Sequence, residues 1–440
     1  MNAPNDSKPI ITWGIALLML MPGVLAGIDV YLGETAPYVV QLKLWNEAWI
    51  YVSGVTLFLF LVDLRSSKAR WMALGRWDFA IITFLLVQSL WLSRTVAADT
   101  ASADVHLLRI FLALSLGVAA YYAMQLYQQR FALPVYYAAI IGAALVTPFL
   151  LFYLFFQEES RALGEGLKWY IPGFGPVRLL GITAEVGIAL GAGLLAIYTG
   201  QKRNWLIGLA MICLWALLFW SGGRGAFLSI LVSLLITSLL SPMYFVVLWR
   251  AALLTGTGGA AISLLIWVPD GTVFGLKNMI GNTTQENINS VSHGRVARWN
   301  ETLEIALQRP IFGHGLNQYS NLWPFYAIDD AKNGNEGQMP FYFLTYRNTH
   351  NIVVEAILSW GIFGATLFFG LLLKAWFKAA AKVKTAVLPE RIPAFIALNT
   401  LGIHALFTGV YIFPHSLFYV AIFFGICLAP KPAQNENTSM

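Results

Sequence analysis

The chain has 440 residues, of which 58% are hydrophobic and 11% charged, and its mean hydropathy is +0.65. Soluble domains carry about 25% charged residues, so the composition excludes an ordinary soluble protein and places most of the chain in lipid. The net charge of +6 does not point to nucleic acid, because Lys and Arg are dispersed between apolar runs rather than gathered in one soluble patch.

A bilayer core about 30 Å thick needs roughly 20 apolar residues per helix. Backbone groups in hydrocarbon must be satisfied within the segment, and these runs are too long and uniform for alternating barrel strands. The expected fold is therefore an all-α polytopic membrane protein with about 12 transmembrane helices. They are expected near residues 10–28, 47–64, 78–93, 107–126, 132–156, 177–199, 204–220, 226–241, 251–268, 351–373, 393–412 and 416–429. The first run follows a single Lys8 and lacks an A-x-A site, so it reads as a retained span rather than a signal peptide. Cys213 and Cys427 lie inside apolar runs, and no disulfide framework is indicated.

Arg65, Lys68, Arg70 and Arg76 follow the second run, and Arg130, Lys202, Arg203 and Arg250 mark later turns. Lys374, Lys378, Lys382, Lys384 and Arg391 follow the tenth. All fall on one side if both termini are cytoplasmic. The expected organisation is spans one to nine over 1–268, an outer polar insert over 269–350, spans ten to twelve over 351–430 and a cytoplasmic tail over 431–440.

The insert is too long for a plain turn and too aromatic for disorder, with Trp299, Trp323, Phe325, Tyr326, Phe341, Tyr342 and Tyr346. Within it, "SHGRVARWNETLEIALQRP" reads as an amphipathic helix capped by Ser292 and ended by Pro310 and Gly313. Val296, Trp299, Leu303, Ala306 and Leu307 follow one helical stripe, and Arg295, Arg298 and Thr302 share the other side.

Five arginines stand on the expected outer side, where the charge bias should deplete them: Arg178, Arg224, Arg295, Arg298 and Arg347. Headgroup snorkelling accounts for single arginines. Five together suit a phosphate, which the planar guanidinium grips with paired, charge-assisted hydrogen bonds. Arg224 sits in the Gly-rich turn "WSGGRGAF" and opens a helix whose first N–H groups favour an anion. Glu185 lies seven residues beyond Arg178 on the same helical face, placed to orient or neutralise an arginine.

In "RNTHNIVVEAILSWGIFG" the tail reads as an ordinary membrane helix, while Arg347, His350, Asn351 and Glu355 crowd its mouth. His350 is the candidate base, since an imidazole pKa near 6.5 suits proton removal at neutral pH. Asn351 lies nearer its face than Glu355 does. The chain shows no Walker loop, no dinucleotide fingerprint and no His or Cys cluster for zinc, so neither a cofactor nor a metal is expected.

These pieces together resemble the O-antigen ligase and polymerase superfamily. The resemblance rests on R-x-x-x-L at Arg224 to Leu228, on R-x-x-x-W…P-x-x-G-x-G at Arg295, Trp299, Pro310, Gly313 and Gly315, and on H-N-x-x-x-E…G-x-x-G at His350, Asn351, Glu355, Gly361 and Gly364. It covers roughly residues 170–370. It implies a GT-C-like, metal-independent, inverting membrane glycosyltransferase of the bacterial inner membrane with a periplasmic active site in the large loop. The donor would be a glycan on undecaprenyl pyrophosphate and the acceptor lipid A–core oligosaccharide, with membrane lipids as the only other partner. His350 would be the base. Arg224, Arg295, Arg178 and Arg298 would hold the pyrophosphate, supported by Asn351, Glu355, Glu185, Trp299 and Arg347. The ligase variant often carries H-x-N-S where this chain has H-N, which leaves O-antigen polymerase and protein O-oligosaccharyltransferase as relatives to weigh. A lipid or polysaccharide transporter is the rival from another class, but the halves of this chain show no internal repeat.

Overall fold

The computed structural model describes residues 10–32, 38–66, 75–156, 170–171, 175–201, 204–266, 268, 275–276, 279, 295–322, 349–385 and 388–430. Over these residues the protein is helical apart from one two-residue antiparallel pair, β1 (Tyr170–Ile171) with β2 (Gly175–Pro176). The helices are α1 (Ile10–Leu32), α2 (Tyr38–Ser66), α3 (Arg76–Thr95), α4 (Thr100–Tyr127), α5 (Gln129–Phe156), α6 (Val177–Ile197), α7 (Asn204–Trp220), α8 (Arg224–Leu240) and α9 (Phe245–Ser263). There follow α10 (Arg295–Ala306), the single turn α11 (Tyr319–Leu322), α12 (Ile352–Lys384), α13 (Arg391–His404) and α14 (Pro414–Leu428).

Among the described residues six helical segments are long and apolar enough to cross a membrane: Ile10–Ile28, Thr100–Tyr127, Gln129–Phe152, Leu180–Ile197, Pro242–Ser263 and Ile352–Lys384. Each of the twelve expected windows falls on a helix, but α7, α8 and α14 are shorter apolar helices of 17, 17 and 15 residues. The ninth helix starts at Phe245 rather than 251, because Pro242 opens a short 3-10 turn that leads straight into it.

The main core draws on α1, α2, α4–α9 and α12–α14, and two smaller clusters lie where α3, α10 and α11 meet α12. With lipid on the outside, association depends on close approach of small residues rather than on the hydrophobic effect. The α4–α14 contact shows this, since a Cβ at Gly425 would fall 2.3 Å from the Gly117 carbonyl. α13 packs between α6 and α8. α12 runs from Ile352 to a basic end at Lys382 and Lys384, and α13 starts at Arg391 and returns. At that basic end Lys382 and Arg391 donate to the carbonyls of Leu428 and Ala429, the C-terminal end of α14. The opposite end of the bundle therefore gathers the start of α12, the end of α13 and the start of α8.

Candidate functional site

The start of α12 organises the site. Asn351 is its N-cap, and its side chain accepts from the backbone N–H of Val353 (2.8 Å) and Val354 (3.3 Å). Its oxygen thus satisfies the first-turn donors, which is a different task from orienting His350. His350 precedes the cap with φ 55°, a left-handed conformation that side-chain-bearing residues seldom adopt. It is buried, at 3% exposure. The neighbouring Thr349 hydroxyl lies 2.6 Å from the Tyr411 hydroxyl and donates to the Asn351 carbonyl at 2.9 Å. Glu355, one turn into α12 and buried, has Tyr411 and Ser359 hydroxyls at 3.5 Å. Thr349 and Tyr411 carry no sequence signal; they enter only through the fold.

α10 lies against this knot. The Trp299 indole N–H donates to the Thr349 carbonyl at 2.8 Å, which ties the amphipathic helix to the residue before His350. The expected apolar stripe is corrected here. Thr302, expected on the polar side, is fully buried with Ile305 and Ala306, whereas Leu307 is 67% exposed. The reason is that the Arg298–Thr302 side faces Tyr319 and Leu358 instead of solvent. Burial holds the Arg295 guanidinium below its ordinary pKa, and the like charge of Arg298 adds to this. Among the described residues no carboxylate forms an ion pair with either arginine. Tyr319, buried beside Arg298, has its hydroxyl pushed up to about 12 by burial and stays neutral.

Arg224 stands at the first position of α8, half-buried, after Gly223, which supplies no side-chain cap. Glu185 lies fully buried in α6, and its partner is His404 at the end of α13, with Nδ1 2.8 Å from both carboxylate oxygens. Among the described residues the partner of Glu185 is thus a histidine, while the side chain of Arg178 lies outside them. Sequence reasoning passed over His404, although a histidine inside an apolar run is itself a signal. The next residue, Ala405, accepts the backbone N–H of Ile352 at 3.0 Å, which brings the end of α13 against the start of α12.

The tenth expected span, α12, is not an ordinary helix. It breaks at Gly361, where φ is 69° and ψ 179°. The carbonyls freed by the break are taken up by the P-x-x-G-x-G segment and by α3. The N–H groups of His314 and Gly315 donate to Leu358 and Ser359 at 2.8 and 3.0 Å, Ile362 donates to Pro310 at 2.7 Å, and the Gln88 amide donates to Phe312 and Trp360, both at 3.0 Å. Contact is so close that a Cβ at Gly361 would lie 2.2 Å from the Ile311 carbonyl, and one at Gly313 2.5 Å from the Gly361 nitrogen. Gln318 exchanges two 3.0 Å hydrogen bonds with the backbone of Asp99, between α3 and α4. His314 serves the same junction, with Nε2 2.9 Å from the Ile305 carbonyl. Burial pushes its pKa down, against the pull of that carbonyl, so it is a neutral structural donor.

Of the remaining expected site residues, Arg178 lies in the first turn of α6 with its side chain outside the described residues, and Arg347 and Ser292 lie wholly outside them. Among the described residues no three His, Cys, Asp or Glu side chains converge to hold a metal. The described structure thus joins His350, Asn351, Glu355, Trp299, Arg295 and Arg298 at one end of the bundle, with Arg224, Glu185 and His404 linked to them through Ala405 and Ile352. No curated protein matches the chain. Residues 209–369, from α7 through the break in α12, match the family model for O-antigen ligase, which supports membership in the O-antigen ligase superfamily.

Proposed function

We propose that the chain is a membrane glycosyltransferase that moves an O-antigen glycan from undecaprenyl pyrophosphate to a hydroxyl of lipid A–core oligosaccharide, at the periplasmic face of the bacterial inner membrane. The observation that carries this is a pair of arginines without a described carboxylate partner, Arg295 and Arg298, tied through Trp299 to the residue before a buried histidine. The donor already carries a good leaving group. Catalysis then requires that the pyrophosphate's charge be held as the glycosyl bond breaks, and fixed cations do this without reorganisation. Arg295, Arg298 and Arg224 are the cations, and Arg178 belongs to the same group. Each charge-assisted hydrogen bond contributes about 1.5–3 kcal/mol.

His350 takes the proton of the acceptor hydroxyl while that oxygen attacks the anomeric carbon opposite the pyrophosphate, which inverts the centre. The pyrophosphate departs with the bonding pair. General-base help of this kind is typically worth about 10²–10⁴-fold. Glu355, through Tyr411 and Thr349, holds the backbone on either side of His350.

The test uses purified protein in detergent, offered donor with lipid A–core, donor alone, or donor with a peptide. Glycan on lipid A–core is expected, and His350→Ala is expected to abolish it while undecaprenyl pyrophosphate still binds. Near-normal transfer by that variant would remove His350 as the base. Glycan chains lengthening on the donor alone would make the enzyme a polymerase, glycosylated peptide a protein O-oligosaccharyltransferase, and no transfer at all would favour transport.

A further inference from the structure

The Glu185–His404 pair is unused by the reaction as drawn. His404 is 6% exposed and Glu185 wholly buried, so the two form a pair inside the bundle rather than on its surface. Breaking such a pair costs a protein dearly, while a well-packed apolar pair would serve the fold as well or better. A stabilising role alone is therefore a weak explanation.

The geometry adds a direction. Nδ1 faces both carboxylate oxygens at 2.8 Å, so it carries a hydrogen, and the ring orientation is fixed. The far nitrogen, Nε2, has no hydrogen-bond partner among the described residues. It lies against the first turn of α8, where a Cβ at Gly225 would stand 3.1 Å from it. Any side chain at residue 225 would come between the imidazole and that turn. This helix start has no side-chain cap, and its first residue is Arg224. Free N–H groups at a helix N-terminus favour an anion, and a buried imidazole aimed at the same spot is a second, independent feature of an anion site.

We propose that His404 is a further binding residue for the donor's pyrophosphate: its Nε2–H donates to a phosphate oxygen held at the start of α8 beside Arg224, and Glu185 is the positioning residue that holds the ring with Nε2 toward that helix start. The inference rests on the donor reading above. The ring is then held between two acceptors, the Glu185 carboxylate behind it and the phosphate before it, one on each nitrogen.

Asn and Gln separate the two nitrogens of histidine, because the Asn amide reaches the Nδ1 position and the Gln amide the Nε2 position. Binding of undecaprenyl pyrophosphate to the full chain in detergent is measured for wild type, His404→Asn and His404→Gln, with thermal melting of each. His404→Asn is expected to bind about tenfold or more weakly, and His404→Gln to stay within a few-fold of wild type. The reverse order, with Asn tolerated and Gln not, would show that His404 serves only its bond to Glu185 and would overturn the proposal. Equal binding by all three would overturn it too. If His404→Asn does not fold, Gly225→Ala puts a methyl group between Nε2 and the helix start; the same loss is expected, and undiminished binding overturns the proposal. Absence of binding by the wild type would instead refute the donor reading itself.

Discussion

At the scale of single residues, the site stores costs that the fold alone does not need. His350 holds a left-handed backbone, which costs a residue with a side chain on the order of 1–3 kcal/mol. Arg295 is half-buried, and desolvation, with the like charge of Arg298 second, holds its pKa down. A bound phosphate would relieve that repulsion. From this follows a prediction with an unusual sign. Arg295→Met, which keeps the length and removes the charge, is expected to leave the melting temperature unchanged or to raise it. The same variant is expected to weaken use of the pyrophosphate donor by about tenfold or more. A fall of several degrees in melting temperature together with normal donor use would identify Arg295 as structural. Arg295 was visible in the sequence through its R-x-x-x-W motif, and Arg298 only through its place on the expected outer side. The burial of Thr302 was not, because which side of α10 is covered depends on α12, about fifty residues further along the chain.

At the scale of elements, the break in α12 is the decisive feature. It frees three carbonyls about two turns into a long apolar helix, where an unsatisfied polar group costs several kcal/mol. The segment from Pro310 to Gly315 and the amide of Gln88 satisfy them. The same segment continues from α10, whose Trp299 donates to the carbonyl of Thr349, the residue before His350. Gly361→Ala must displace the Ile311 carbonyl, 2.2 Å from the new methyl, and must hold φ 69° with a Cβ present. It is expected to lower the melting temperature markedly and to abolish transfer. Gly370→Ala, later in the same helix with nothing within 4 Å, is the control and is expected to be neutral or to stabilise by about 0.5–1 kcal/mol. Equal effects of the two substitutions would mean that the interlock does not hold the segment. The glycines of both motifs were visible in the sequence, but their partnership was not, since a hydropathy window averages over a single glycine and reports one apolar run.

At the scale of the whole molecule, the two ends of the bundle differ in chemistry. One carries Lys378, Lys382, Lys384 and Arg391; the other carries Arg224, His350 and His404. With Cys213 and Cys427 replaced, a cysteine introduced at Glu304 is expected to react with a membrane-impermeant maleimide in intact spheroplasts. One at Lys378 is expected to react only after lysis; both positions are exposed. The opposite labelling pattern would invert the topology and remove the periplasmic site. The sequence by itself determined the membrane class, the helical fold and the placement of most helices. Those properties follow from local hydropathy, charge bias and short motifs, all read within a few turns of chain. Only the tertiary structure decided that α12 breaks, that the P-x-x-G-x-G segment fills the break, and that Glu185 pairs with His404, 219 positions away. Such pairings are set by which helices become neighbours, and in lipid that choice is made by close packing of small residues and buried polar contacts, neither of which leaves a periodic trace along one chain.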